Sequence, residues 1–233
     1  MSFEPVMPPY GADDPSARFV GASCLDFLLI EIVPMAYRIT NQLEEEANDA
    51  VVAAATSQGQ DDVARAAQAQ TQQISRGQAP PSTGSIGGGS RKMDEDEEKD
   101  AVFARLEGLG YRVGQGLVER FSRDRPRFND TLDVIKFLCK DLWTLVFRKQ
   151  VDNLKTNHRG VYVLTDNSFR PFSRMSAEPG GQAVLRAQPF LWFPCGIVRG
   201  ALAGLGINAT VQAESTELPG AVFQIKTIPA KGP

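Results

Sequence analysis

Histidine is nearly missing from this sequence: the 233 residues hold one, His158. A metal centre or a histidine-based triad has little to build on. His158 sits in the polar stretch "NLKTNHRGVY", where a solvated loop residue is expected. Cysteine is scarce as well. Cys24, Cys139 and Cys195 are odd in number, far apart, and form no CxxC pair. That argues against a disulfide framework or a zinc site, and three small buried hydrophobes are expected instead. No G-x-x-x-x-G-K-[ST] loop occurs. No apolar run reaches the roughly 20 residues of a membrane-crossing helix; the nearest, "FVGASCLDFLLIEIVPM", carries Asp26 and Glu31 and is broken by Pro34. The chain opens without a basic n-region and apolar run, so a cytosolic protein is expected. The basic residues are scattered without interleaved aromatics, which speaks against a nucleic-acid partner. No cofactor and no metal are expected.

What is present is ordinary for a globular protein: 42 % hydrophobic and 23 % charged residues, enough for one domain with tails. The net charge of −3 hides an asymmetry, with −10 over residues 1–100 and +7 over residues 101–233. A mildly basic second half suits an acidic partner or an anionic membrane surface, or is simply a mixed solvated surface.

Residues 1–15, rich in Pro, Gly and Asp, read as disordered, and residues 16–233 as a single domain. A helix pattern starts at Ser16, a candidate N-cap, and carries Phe19, Val20, Cys24, Phe27, Leu28, Ile32, Met35 and Ile39 at spacings of mostly three and four. Leu25, Leu29, Ile30 and Val33 widen its apolar face, so it needs cover on more than one side. A kink is expected at Pro34. Residues 54–100 are low in complexity: rich in Ala and Gln, then in Pro, Gly and Ser, then acidic. They read as a disordered insertion, because so little apolar area cannot offset ordering entropy. A short helix is expected over Ala101–Leu109, ended by Gly110, and a second from there to about Ser122. "NDTLDVIKFLCKDLWTLVFRKQ" is the clearest helix, with Asn129 or Asp130 as cap and Val134, Ile135, Leu138, Leu142, Leu145 and Val146 as its core stripe. "GVYVLTDNSFRPF" reads as a hairpin turning at Asp166–Asn167, "AVLRAQPFLWFPCGIVRGALAGLG" as helical, and "INATVQAESTELPGAVFQIKTI" as a hairpin turning at "ELPG". The expected fold is α+β, an α/β plait of order α-α-α-β-β-α-β-β with helices packed on a four-stranded antiparallel sheet.

"GYRVGQGLVERF" holds three glycines, Gly110, Gly114 and Gly116. A dinucleotide loop wants G-x-G-x-x-G directly after a strand. Here Glu119 stands where the third glycine would fall, and an acidic helical stretch precedes. Glycine inside a helix costs roughly 1 kcal/mol against alanine, which is tolerable where a close approach needs it. The stretch therefore reads as a packing surface. Arg199, in "CGIVRGAL", reads as a paired structural arginine.

"LGYRVGQGLVERF", "RFNDTLDVIKFLCKDLWTLVFRKQVDNLKTNHRGVYVL" and "CGIVRGALAGLGI" resemble the transport protein particle (TRAPP) family of small subunits, in its subunit-six branch. The resemblance covers roughly residues 20–50 and 100–228. It implies an α/β plait that pairs through its first two helices with an acylated sister TRAPP small subunit. It further implies membership of a vesicle-tethering complex that promotes nucleotide exchange on a Rab-type GTPase in Golgi traffic. The subunit would then be architectural and not an enzyme, cytoplasmic, and peripheral at Golgi and ER-Golgi membranes through the complex only. Where the sister carries its acylated cysteine, this chain has Arg125, so acylation is not carried over. The candidate interface residues are Phe27, Leu28, Ile32 and Met35 on the first helix and Val113, Gly114, Gly116 and Leu117 on the second. The alternative reading is a carrier of small hydrophobic ligands, with Phe190, Trp192 and Phe193 lining a pocket beside the sheet.

Overall fold

The computed structural model describes residues 21–73, 93–123, 125–157, 159–175 and 181–228. Among them are six α-helices: α1 (Ala22–Gln73), α2 (Glu95–Phe121), α3 (Thr131–Phe137), α4 (Trp143–Phe147), α5 (Gly181–Ala187) and α6 (Trp192–Gly204). Four strands, β1 (Asn153–Thr156), β2 (Val161–Asp166), β3 (Ala209–Glu214) and β4 (Ala221–Thr227), form one sheet in the order β1-β2-β4-β3. Each neighbouring pair is antiparallel. The α+β plait expected from the sequence is what the chain forms. Ser16, Phe19, Val20 and His158 lie outside the described residues.

The chain divides into two compact units. The first comprises the described residues up to Ala36 and those from Val102 onward. Its core is an aromatic cluster under the sheet. Trp143 meets Phe223 of β4 edge-on at 5.1 Å and Phe147 at 4.6 Å, and Phe169 packs on Phe147 at 4.9 Å. Such rings bury large apolar areas and gain further from offset and edge geometries. The indole needs an acceptor once buried, and Asp166 supplies it: Trp143 Nε1 donates to Asp166 Oδ2 at 2.9 Å. Lys149 donates to the other oxygen of Asp166 and to Asp152, both at 2.7 Å. That leaves the buried carboxylate of Asp166 paired and hydrogen-bonded, the condition under which burying charge is tolerated.

The second unit, Tyr37–Ala101, holds the continuation of α1 and the start of α2. Asp94 caps α2: its Oδ1 accepts from Glu97 N at 2.8 Å, while Glu97 Oε2 accepts from Asp94 N at 3.2 Å. This is a reciprocal capping box. Glu95, Asp96, Glu97 and Glu98 fill the first turn, where the helix dipole favours negative charge. The acidic run thus starts a helix.

Four sequence expectations need correction. The disordered insertion expected over 54–100 is helical at both ends: α1 runs on to Gln73 and α2 starts at Glu95. The helix break at Gly110 does not occur; α2 runs unbroken from Glu95 to Phe121. Gly110 marks a close approach of another helix, as shown below, and not a stop. A turn does follow Asp166, whose Oδ1 accepts from Ser168 N at 3.0 Å, but it leads to no second strand; the first hairpin instead pairs β1 with β2 and turns between Thr156 and Val161. There Asn157 Oδ1 accepts from Arg159 N and Val161 N, at 2.9 and 3.1 Å, and Gly160 takes φ +81°. Asp166 ends β2 instead, and Arg170–Arg174 is a 3-10 turn. Finally, Cys24 is exposed, whereas Cys139 and Cys195 are buried as expected. Asp130 caps α3, accepting from Asp133 N at 2.7 Å. A π turn over Leu138–Leu142 joins α3 to α4 and keeps Leu138, Cys139 and Leu142 buried.

Candidate partner interface

The first turns of α1 sort their side chains sharply. Leu29, Ile32, Val33 and Ala36 are buried. On the opposite side of the same helix, Phe27 is 69 % and Leu28 49 % exposed, with Met35 half-buried near them. A helix of 3.6 residues per turn puts Cys24, Phe27, Leu28, Glu31 and Met35 on one side, and Glu31 is the single charge in that set. Asp26 anchors this end of α1 to the 3-10 turn. Arg170 donates to it through Nε at 2.9 Å and through a terminal nitrogen at 3.2 Å. The hydrogen bond from Arg170 holds the Asp26 carboxyl below its ordinary range, against the opposing effect of burial.

The glycines of α2 face inward in part. A Cβ on Gly110 would lie 2.1 Å from Phe193 O, and one on Gly114 2.1 Å from Ile197 O. From the other side, a Cβ on Gly196 would lie 2.1 Å from Glu107 O, and one on Gly200 2.0 Å from Tyr111 O. Two G-x-x-x-G stretches, one per helix, therefore meet backbone to backbone. Residues four apart share a helix face, so each pair presents a groove to the other. Arg199 brackets the seam. Its guanidinium pairs with both carboxylate oxygens of Glu107, one at 2.6 Å, and lies 4.5 Å from the Tyr111 ring centre. Burial, with Glu107 adding to it, pushes the Cys195 thiol up to about 12. Burial alone does the same for Cys139. Both thiols are therefore protonated and inert at neutral pH.

The candidate interface residues divide accordingly. Phe27, Leu28, Val113 and Gly116 are exposed, and Met35 and Leu117 are half-buried. Ile32 is 3 % exposed and belongs to the interior. Gly114 is likewise removed from the surface: it serves the chain's own α6 and leaves no room for a partner. Gly116 has no atom within 4 Å of where its Cβ would stand. Sequence reasoning placed a close approach at Gly114 and missed that the chain's own α6 makes it; at Gly116 the described residues make none. The repeat of the spacing in "CGIVRGAL" was the signal available. The proposed pocket aromatics also separate: Phe193 is 4 % exposed and part of the core, while Phe190 and Trp192 are half-buried. Arg125 pairs with Asp141 and lies 4.9 Å from the Phe137 ring centre.

Among the described residues, no group of three or more His, Cys, Asp or Glu is placed to hold a metal ion, and no described helix is long and apolar enough to cross a membrane. The described residues thus combine helix packing, an antiparallel sheet and an apolar helix side that nothing among them covers. In comparison with known families, residues 25–228 match the transport protein particle (TRAPP) component family, and the chain belongs to it. Within the family its similarity is to the subunit-six branch. It is 52 % identical over 130 residues to Trafficking protein particle complex subunit 6b of Danio rerio, spanning 56 % of this chain and 82 % of that protein. It is 52 % identical over 128 residues to Trafficking protein particle complex subunit 6B of Homo sapiens, spanning 55 % of this chain and 80 % of that protein. One solved structure, a trafficking protein particle complex subunit 3 from Naegleria fowleri covalently bound to palmitic acid, is similar at a TM-score of 0.47 and 13 % identity, over 56 % of this chain and 82 % of that one.

Proposed function

We propose that this chain is a non-catalytic architectural subunit of a TRAPP vesicle-tethering complex, which promotes nucleotide exchange on a Rab-type GTPase in Golgi traffic. Its direct partner is the acylated sister small subunit, with further TRAPP subunits beyond it, and its contact with membrane is peripheral and made through the complex. Residues 54–100 act as an insertion that pairing does not need. The observation that carries the reading is the uncovered side of α1, where Phe27 and Leu28 stand 69 % and 49 % exposed in a chain whose relatives bear the names of complex subunits. Burying side chains of this kind contributes about 1.5–3 kcal/mol each, and a standard interface of roughly 1,600 Å² in total takes in such a patch with its neighbours. The proposed interface also takes in Met35 on α1 and Val113, Gly116 and Leu117 on α2.

The test is co-expression with the acylated sister subunit followed by sedimentation. A one-to-one pair is expected, and the Phe27→Asp, Leu28→Asp double variant should sediment as separate chains. Pairing that is unchanged in the double variant would remove α1 from the interface. A free monomer with no affinity for the sister would overturn the reading altogether.

A further inference from the structure

β3 is the outer strand of the sheet beside β4. Just before it, Ile228 N donates to Asn208 O at 2.8 Å. Hydrogen-bonded and non-hydrogen-bonded pairs alternate along an antiparallel ladder. The pairs Thr210 with Lys226, Gln212 with Gln224 and Glu214 with Val222 therefore direct their backbone groups toward β4. The other edge of β4 agrees with this alternation: Thr227 N donates to Gly160 O at 2.8 Å, which puts the exchange with β2 on the odd-numbered residues. Ala209, Val211 and Ala213 consequently direct their N–H and C=O groups away from the sheet. Among the described residues, no backbone hydrogen bond outside the ladder reaches them.

A cavity of about 420 Å³ is lined by Val211–Glu214 of this edge strand and reaches past β4 to Val163 of β2. Phe103 of α2 and Trp192 of α6 wall it, edge to face at 5.8 Å. Gln188, Gln212 and Gln224 supply amides to its lining, and Glu214 supplies a carboxylate at one end. Glu214 is exposed and has no ion pair among the described residues. A hydrocarbon ligand would strip water from these amides and from the outward backbone groups without replacing it, which is costly. A peptide main chain satisfies them, as in recognition by strand addition.

We propose that the β3 edge and this cavity dock an extended segment of a partner protein. The segment adds as a strand beside β3, hydrogen-bonds to Val211 and Ala213, places one large apolar side chain against Phe103 and Trp192, and sets a Lys or Arg against Glu214. This site is separate from the α1 face and does not rest on the pairing proposed for it.

Random decapeptides displayed on phage and selected on the immobilised full chain provide the probe. The expected result is a consensus with a large apolar residue and a nearby Lys or Arg. Fluorescence anisotropy on the synthesised consensus peptide then separates the parts. Glu214→Lys should weaken binding at least tenfold and shift the preference to the Asp or Glu counterpart. Ala213→Pro removes one outward N–H and leaves the β4 ladder intact, a change that edge strands accept, and it should also cost at least tenfold. If circular dichroism shows that this variant unfolds, the charge reversal at Glu214 decides alone. Phe27→Asp should leave peptide binding unchanged. No consensus, an acidic consensus, binding indifferent to Glu214→Lys, or a co-purified lipid found in the cavity in place of peptide would each overturn the proposal.

Discussion

The seam between α2 and α6 and the outer side of α1 are both helix surfaces, yet their residues are opposite in size. The seam is built from Gly110, Gly114, Gly196 and Gly200, each with a backbone atom of the facing helix closer than a Cβ tolerates. The α1 side carries Phe27, Leu28 and Met35, and nothing within the described residues covers Phe27 or Leu28. Glycine is unfavourable in a helix by roughly 1 kcal/mol, so a run of glycines that persists there reports a contact already completed within the chain. A patch of large apolar side chains left in water is the reverse case, the surface on which the proposed pairing would act. The two surfaces can be told apart by what a substitution changes: folding in one case, pairing in the other.

The largest expected effect is at the seam. Gly114→Leu or Gly200→Leu should lower stability by about 3 kcal/mol or more, because the added carbons meet backbone that cannot swing aside. Denaturant unfolding of the isolated chain measures it, and a loss under about 0.5 kcal/mol would mean that the helices separate easily. Next comes the α1 side. Phe27→Asp should reduce affinity for the sister subunit by at least about 2 kcal/mol, the size of an interface hot spot. It should change the stability of the chain alone by no more than about 0.5 kcal/mol. An equal loss in both measurements would place Phe27 in the fold and erase the contrast.

Gly116 sharpens the comparison, since it lies in the same helix as Gly114 with open space around it. Gly116→Ala should stabilise the chain by up to about 1 kcal/mol through helix propensity and a less flexible unfolded state. Gly116→Leu should leave folding intact, and weaker pairing in that variant would place this glycine at the partner's surface. The smallest effect concerns the anchor of α1. The Asp26 carboxyl is held below its ordinary value of 3.8 by the hydrogen bond from Arg170. A group depressed in the folded state adds stability that is fully present above its unfolded pKa and lost as pH falls through the folded one. Below pH 3.8, then, the chain should lose up to about 1 kcal/mol. Arg170→Gln should flatten that acid limb in pH-dependent unfolding, and an unchanged limb would show that the pair contributes nothing.

Much of this was legible in the sequence, because it depends on local pattern. The apolar spacing of α1 and α3, the cap at Asp130, the "ELPG" turn and the α+β order all follow from periodicity and turn chemistry acting over a few residues. The failures are instructive in the same terms. Asp166 does open a turn, its Oδ1 accepting from Ser168 N at 3.0 Å, but a 3-10 turn follows it and not a second strand, and its carboxylate also takes the indole of Trp143 and the ammonium of Lys149. The hairpin turns instead between Thr156 and Val161, where Asn157 Oδ1 accepts from Arg159 N and Val161 N.

The sequence by itself determined that α2 holds glycines at helical spacing and that α1 has more apolar surface than one neighbour can cover. Composition and periodicity carry that information in full. Only the tertiary structure decided which glycine meets which backbone, and which apolar residues are left over. Gly114 and Gly116 are chemically identical and two positions apart, and roughly 200° of helix rotation separates their directions. One therefore touches Ile197 while the other faces open space. Local chemistry assigns a residue to a helix face, but the side on which α6 arrives is set by the packing of the whole domain.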